Sequence, residues 1–331
     1  MSRGSRALIV VVLLAGGIAY FLYGTQRNAG PRSGSNLEPA SGLRLWYPAP
    51  ATDWMTQALP IGNAYMAAML FGGIDEEHIQ FNEESLWAGG PGEWDRYRGG
   101  NRASAYRALP EIRRLIKEGN YAEAHRIARR ELTGVIKNPD SAEDYPLWQG
   151  FGAYQPFGDI HIAVPGQKNI VDYSRSLDLR RAVAEVRYRS GTVTHQRQYF
   201  ASYPARLLVF KLQNDAPHGQ DYRIKLSSPH PVTFSSSNNR LTMKGALANN
   251  GMALEARMEI RSRGGGSIRI EAGQVVVQGA RELVVLLCAA TDYLLDYPGY
   301  KGRDYAALNE ATLNAAKDKD FDLLLHEHLA D

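Results

Sequence analysis

From Tyr154 onward, apolar residues recur at every second position. Ile160, Ile162 and Val164 alternate with polar neighbours, as do Val186 and Tyr188. The clearest run is Met252, Leu254, Ala256, Met258 and Ile260, with Glu255, Arg257, Glu259 and Arg261 between its later members. Period two puts successive side chains on opposite faces, so this run predicts an antiparallel strand with one buried and one wet face. Leu207–Leu212, Val275–Val277 and Leu283–Leu287 add short strands separated by Gly, Asn and Pro turns, the pattern of a large β-sandwich. Gly264-Gly265-Gly266 reads as a hairpin loop. Upstream, Leu43–Tyr47 alternates, and Met66–Phe71 and His78–Phe81 flank a Gly72-Gly73 turn. Gly89–Gly100 is a loop rich in Gly, Trp and Arg.

Two segments change period. Leu109, Ile112, Leu115 and Ile116 recur at helical spacing and stop at Gly119-Asn120; Tyr121, Ala124, Ile127 and Ala128 continue on a second helix. Pro110 fits only near a helix start. Arginines crowd this pair, but Glu111, Glu118, Glu123 and Glu131 are mixed among them, which favours a solvated, ion-paired face over a nucleic-acid surface. No stacking aromatics lie between the arginines. Near the C-terminus, Asp304 caps a predicted helix running to about Ala316. Phe321, Leu324, Leu325 and His328 then form an amphipathic stripe. That stripe has either a partner beyond this chain or a seat on the sandwich; the first is the expectation.

Composition narrows the picture. The chain has 331 residues, 44% apolar and 22% charged, enough for a packed core. Arg3, Arg6, Arg27 and Arg32 against Glu38 account for the whole excess of +3, so the charge carries no nucleic-acid signal. Arg3 and Arg6 precede the uncharged run Ala7–Gly24, and a Gly/Ser/Pro linker follows to about residue 40. This is an export signal. Its length also reaches the minimum for a bilayer span, so an uncleaved anchor stands beside the preferred cleaved signal. Either one places the remainder in the periplasm or outside the cell. Cys288 is the sole cysteine, set in an apolar run and expected to be buried, so no intrachain disulfide forms.

The chemistry-bearing candidates are few. A serine-hydrolase elbow, a P-loop and a dinucleotide fingerprint are absent from the sequence. His326-Glu327-His328 lies on a helix, where residues two apart point about 200° away from each other and cannot share an ion. No metal or cofactor is expected. Asn82, Glu83, Glu84 and Trp87 sit beside a Gly-Gly-Pro turn and suit a sugar-processing surface, which offers amides and carboxylates to hydroxyls and a ring to C–H faces. Glu83 and Glu84 are adjacent, so on a strand they face opposite sides and cannot both flank one glycosidic bond. The preferred reading makes Glu83 a hydrogen-bonding group that shapes the Trp87 turn, and Trp87 a core or interface residue. A second string, Tyr154-Gln155-Pro156-Phe157-Gly158-Asp159, fixes the backbone sharply, with Asp159 read as bonding that turn.

Taken in order, five strings resemble the N-terminal domain of glycoside hydrolase family 95, the α-L-fucosidases. They are Trp54 with ALPIGNAYMAAMLFGG, His78–Pro91, Leu109–Ala124, Tyr154–Ile162 and Tyr173–Leu212; Ala289–Tyr293 also fits. The resemblance covers roughly Leu43 to Asp331. It departs at Ala64-Tyr65-Met66, where that family carries glycine and a smaller, more basic pattern. The resemblance implies a β-supersandwich, a helical linker, an (α/α)6 catalytic barrel and a C-terminal β domain, hydrolysing α-L-fucosides with inversion and without metal. It also implies that the catalytic Glu and Asp lie in the barrel, so no catalytic residue falls in this chain.

The expected organisation is therefore a mainly β chain. Residues 1–40 are for export, 41–300 form the antiparallel sandwich with a helical insertion at about 102–132, and 301–331 begin the linker helices. Asn82, Glu83, Trp87, Gln155 and Asp159 are the candidates for the surface nearest the substrate or the barrel. The expected partners are a fucosylated oligosaccharide and a barrel domain or downstream chain. The membrane enters only through the N-terminal segment, and nucleic acid does not enter. A stand-alone membrane-anchored carbohydrate-binding module and an inactive remnant are the rival readings.

Overall fold

Two antiparallel sheets enclose one apolar core, and a second, smaller core lies on the back of one of them. The computed structural model describes residues 43–89, 104–132, 136–137, 144–145, 153–271, 273–296 and 299–331. The expectations of an export signal or anchor in residues 1–40 and of a loop over residues 90–100 fall outside the described residues. Among the described residues no helix is long and apolar enough to cross a membrane.

The chain opens with β1 (Arg44–Tyr47), β2 (Leu59–Gly62), β3 (Met66–Leu70) and β4 (Glu76–Glu83). The insertion follows as α1 (Leu109–Lys117) and α2 (Tyr121–Glu131), then the short pair β5 (Ile136–Lys137) and β6 (Asp144–Tyr145). Next come β7 (Gly158–Ala163), β8 (Ile170–Asp178), β9 (Val183–Ser190), β10 (Val193–Ser202), β11 (Leu207–Asn214) and β12 (Gln220–Ser227). The sheets are completed by β13 (Val232–Ser237), β14 (Arg240–Ala246), β15 (Ala253–Arg263), β16 (Ser267–Glu271), β17 (Gln274–Ala280) and β18 (Glu282–Thr291), before α3 (Tyr305–Ala315) and α4 (Phe321–Ala330). The nine-stranded sheet runs β1-β8-β9-β10-β11-β18-β15-β14-β13; the seven-stranded sheet runs β16-β17-β12-β7-β4-β3-β2.

The predicted turn between β3 and β4 is built on its glycines. Gly72 has φ +72°, and a Cβ on Gly73 would lie 1.9 Å from the Glu76 carbonyl oxygen. That turn seats Glu77, which points into the sandwich with no exposure. Its carboxylate accepts from the Gly72 amide at 2.6 Å and the Tyr199 hydroxyl at 2.6 Å, and lies 3.1 Å from Arg197 Nη1. Arg197 also donates to the Gly73 and Ile74 carbonyls and to the Tyr188 hydroxyl. Every group in this buried cluster has a partner, as the low dielectric there demands.

β11 and β18 are apolar on both faces for a reason. Leu208, Phe210 and Leu212, with Leu283, Val285 and Leu287, enter the inter-sheet core. Leu207 and Val209, with Val284, Leu286 and Cys288, enter the second core together with Phe200, Leu313, Phe321 and Leu324. Burial on both faces produces near-continuous apolar runs instead of alternation. Cys288 is buried as expected, and burial pushes its thiol up to about 12.

Three expectations are corrected. The C-terminal stripe seats on the sandwich: Phe321 and Leu324 are buried in the second core, and Phe321 meets Phe200 edge-on at 5.5 Å. The polar face of β15 is not wet, because α3 covers it; Glu255 and Glu259 are buried. Glu255 pairs with Lys244 at 2.9 Å and Arg257 at 2.6 Å, and Glu259 with Arg240 at 2.6 Å and Arg261 at 2.7 Å. Glu310 of α3 reaches down to Arg240 and Arg257, while Arg261 donates to the Ala316 and Lys319 carbonyls at the end of α3. The third correction concerns Gly264–Gly266, which does not close a hairpin: it carries the chain from β15 in one sheet to β16 in the other, all three glycines at positive φ.

The insertion follows its prediction. Asn120 caps α2, and Arg114 and Arg126 pair with Glu111, Glu118 and Glu123 on the exposed face. α3 and α4 are capped by Asp304 and Asp320.

Packing of α4 on the sheet gives a direct expectation. Truncating the fully buried Leu324 to Ala removes methyl groups from a closed core and should cost about 2–5 kcal/mol. Urea denaturation followed by circular dichroism reads this as a fall in midpoint; an unchanged midpoint means α4 is not seated.

Candidate functional site

One end of the sandwich gathers strings that are far apart in the chain. β4 ends there at Glu83, β7 begins at Gly158, β15 begins at Ala253 and β18 ends at Thr291. Glu83, the last residue of β4, is buried, and Glu84, in the turn that follows, is exposed. The Glu83 carboxylate accepts from the Ser85 amide at 2.9 Å and from the Ser85 hydroxyl at 2.7 Å. Ser85 Oγ in turn lies 2.5 Å from Thr291 Oγ1, so this chain of bonds ties the two sheets together. Glu83 does shape the turn that carries Trp87.

Trp87 is not in the core. It is 48% exposed, and its Nε1 donates to the Glu84 carbonyl at 3.0 Å. Tyr154, 42% exposed, lies beside it with ring centroids 5.3 Å apart and planes tilted by 48°. Backbone bonds between Ala88 and Ala153, and from the Gln155 amide to the Leu86 carbonyl, hold the two segments together. From the far side, Asn250 Nδ2 donates to the Trp87 and Gly89 carbonyls at 2.8 and 2.9 Å. The result is a half-exposed aromatic pair on a rigid backbone. Such a surface suits the C–H face of a sugar.

The remaining candidates divide. Asn82 Oδ1 accepts from the Phe157 amide at 2.9 Å, so it positions the Tyr154–Phe157 segment. Gln155 is half-buried and donates to the Ala153 carbonyl at 3.0 Å. Asp159 does not bond the turn. Its carboxylate lies 2.7 Å from His78 Nε2 on the outer face of the seven-stranded sheet. Ser228 Oγ, donating to the Phe157 carbonyl at 2.7 Å, and His230 Nε2, 3.0 Å from the Pro156 carbonyl, hold the turn instead. His326-Glu327-His328 does not form one site: His328 meets the Arg181 carbonyl, and Glu327 pairs with Lys319.

Tyr154 as the ring beside Trp87, Thr291 as the partner of Ser85, and Asn250 as the strut were not singled out by sequence reasoning. Tyr154 and Thr291 lay inside the strings that carried the resemblance, but which strings meet is decided by strand register. Ala64 stands between β2 and β3 at φ +69°, a backbone region that disfavours a Cβ and that glycine enters without strain. Asn63 braces the turn by accepting from the Tyr65 and Met66 amides and donating to the Ser202 carbonyl.

Residues 45–295, most of this sandwich, match the family described as Glycosyl hydrolase family 65, N-terminal domain. The chain belongs to that family. Among relatives, Alpha-L-fucosidase 2 of Arabidopsis thaliana is 27% identical over 278 residues, covering 76% of this chain and 30% of its own length. Probable alpha-fucosidase A of Aspergillus niger is 28% identical over 309 residues, covering 88% and 37%. Its counterpart in Aspergillus oryzae is 28% identical over 314 residues, covering 88% and 40%. The α-fucosidase resemblance carried by the strings is therefore borne out, over a chain that spans 30% to 40% of these relatives' length.

Within the region matched by this family, Glu83 is the carboxyl at the corner whose titration is shifted. Burial pushes its carboxyl up from 4.5 to about 7; the Ser85 bonds pull it down, nearby Glu84 adds to the rise, and Arg303 opposes it. Between those two pH values the folded state holds a proton that the unfolded chain has lost. Stability is thus highest below pH 4.5 as far as this group is concerned, and falls by about 3 kcal/mol as pH rises through 7. Glu83→Gln keeps a neutral hydrogen-bonding side chain and should flatten that slope. Guanidinium denaturation at pH values from 4.5 to 8 checks it; parallel slopes for both proteins would assign the pH dependence elsewhere.

Proposed function

We propose that this chain serves as the exported N-terminal sandwich of an α-L-fucosidase-like glycoside hydrolase. In this reading it supports and borders a pocket whose catalytic carboxyls lie on a separate helical barrel segment, and the complete enzyme hydrolyses α-L-fucosides with inversion. The family match over residues 45–295, joined to α-fucosidase relatives of which the chain spans a third or so, is the observation that carries it. The Trp87–Tyr154 corner with Asn82, Glu83 and Gln155 is the surface turned toward substrate or barrel. Residues 7–24, with Arg3 and Arg6 before them, direct export and, if uncleaved, anchor the chain.

Chemistry supports a non-catalytic role for this part alone. Inverting hydrolysis needs two carboxyls about 6.5–9.5 Å apart across the bond. Glu83 is spent on Ser85, and Glu84 faces the other way.

An assay on an aryl α-L-fucoside tests the proposal. The chain alone should release no aryl alcohol, and turnover should arise when a barrel segment encoded downstream is supplied. Turnover by the chain alone would overturn the division of labour. A second reading, a sugar-binding module, is favoured by the exposure of Trp87 and Tyr154. Under it, the chain alone binds a fucosylated oligosaccharide in calorimetry, and Trp87→Ala removes that binding while leaving the melting temperature within a few degrees.

A further inference from the structure

Away from that corner, the outer face of the seven-stranded sheet brings two histidines together. His78 on β4 and His161 on β7 stand directly opposite each other in register. Their rings stack 4.5 Å apart with 8° between the planes. Asp159, two residues along β7 and on the same face, sets Oδ1 2.7 Å from His78 Nε2. Glu76, two residues back on β4, sets Oε1 2.9 Å from His161 Nδ1. The side chains of His78, Asp159 and His161 are 31%, 24% and 33% exposed. Their potential donor atoms all lie within 4.8 Å of one another.

We propose that this cluster binds a divalent first-row transition ion, with zinc as the first choice. His78, Asp159 and His161 are the ligands, and Glu76 orients His161. Imidazole nitrogen with a carboxylate oxygen is a donor set suited to zinc, cobalt or nickel, whereas calcium and magnesium take mostly oxygens. Tetrahedral zinc with bonds near 2.1 Å sets its ligand atoms about 3.4 Å apart. Reaching that spacing means opening the 2.7 Å His78–Asp159 contact and turning the stacked imidazoles out of parallel until both lone pairs converge, rotations that half-exposed side chains can make. The backbone need not move. β4 and β7 pair with each other and are flanked by β3 and β12, so the ligand-bearing positions are fixed on both sides.

The Glu76–His161 contact strengthens the assignment. A carboxylate on one imidazole nitrogen fixes the ring and leaves the other nitrogen to the metal, the usual arrangement behind metal-bound histidine. Three protein ligands leave a fourth position for water or an incoming group. Lys225 of β12 stands opposite His161 and is exposed, so its flexible ammonium can swing clear when a cation arrives. None of these residues takes part in the Trp87–Tyr154 corner, and the site does not depend on the fucosidase reading.

The test uses the full chain and zinc chloride. After incubation and dialysis, elemental analysis should find one zinc per chain, and the melting temperature should rise with zinc concentration. His161→Ala and Asp159→Asn should each weaken binding at least tenfold, and Glu76→Gln by about tenfold. Lys225→Met should bind more tightly. X-ray absorption at the zinc edge should show two imidazoles and one carboxylate, a readout that needs no variant to fold. No retained zinc at micromolar concentration overturns the proposal. So does zinc held equally by the variants, or an absorption spectrum with a different ligand set.

Discussion

The pair Glu77–Arg197 is the constraint on which the two sheets depend. Glu77 belongs to β4 and Arg197 to β10, so one ion pair at 3.1 Å crosses the sandwich interior. Neither side chain is more than 2% exposed. A charge in that position is tolerable only with all its partners in place, and removal of one member of such a pair is commonly worth 3–5 kcal/mol. The partners come from the Gly72–Ile74 turn and from Tyr188 and Tyr199, which means the turn, the two sheets and their spacing are fixed together. Arg175 repeats the idea nearby, buried and donating to the Gln57 carbonyl at 2.7 Å, with Tyr47 under its guanidinium.

Much of this architecture was legible because alternation and sheet burial are the same fact. Ile160 and Ile162 point inward and His161 outward because period two leaves no other choice. The unbroken runs at Leu207–Phe210 and Leu283–Leu287 read only as strands, because a run apolar on both faces does not say what covers the second one. That cover is α3 and α4, supplied by the C-terminal residues. The same gap applies to β15. Glu255, Arg257, Glu259 and Arg261 look solvated in isolation, and become an ion-paired ladder with buried glutamates only when Lys244, Arg240 and Glu310 are brought alongside. Gly264–Gly266 marked the break between two strands, yet a run of glycines carries no information about which sheet receives the next strand.

The corner was legible in its parts and not in its assembly. Asn82, Glu83 and Trp87 stood out as an odd polar cluster beside an apolar run, and each is used. Their partners come from Tyr154, Asn250 and Thr291, separated by long stretches of chain and joined only through strand pairing. His78 and His161 lie under the same limit: each is an unremarkable strand residue until β4 and β7 are placed in register.

That β4 and β7 are direct neighbours bears on the helical insertion between them. In topological terms they form a hairpin whose loop is the whole of residues 84–157, helices included. For a loop that leaves and returns at one place, the entropy of closure grows only slowly with its length. Segments of this sort are where a lineage can lengthen, shorten or exchange sequence while the sandwich keeps its register. The stem of the hairpin is a different matter, since Asn82 and Phe157 clasp each other at the very point where the excursion begins and ends.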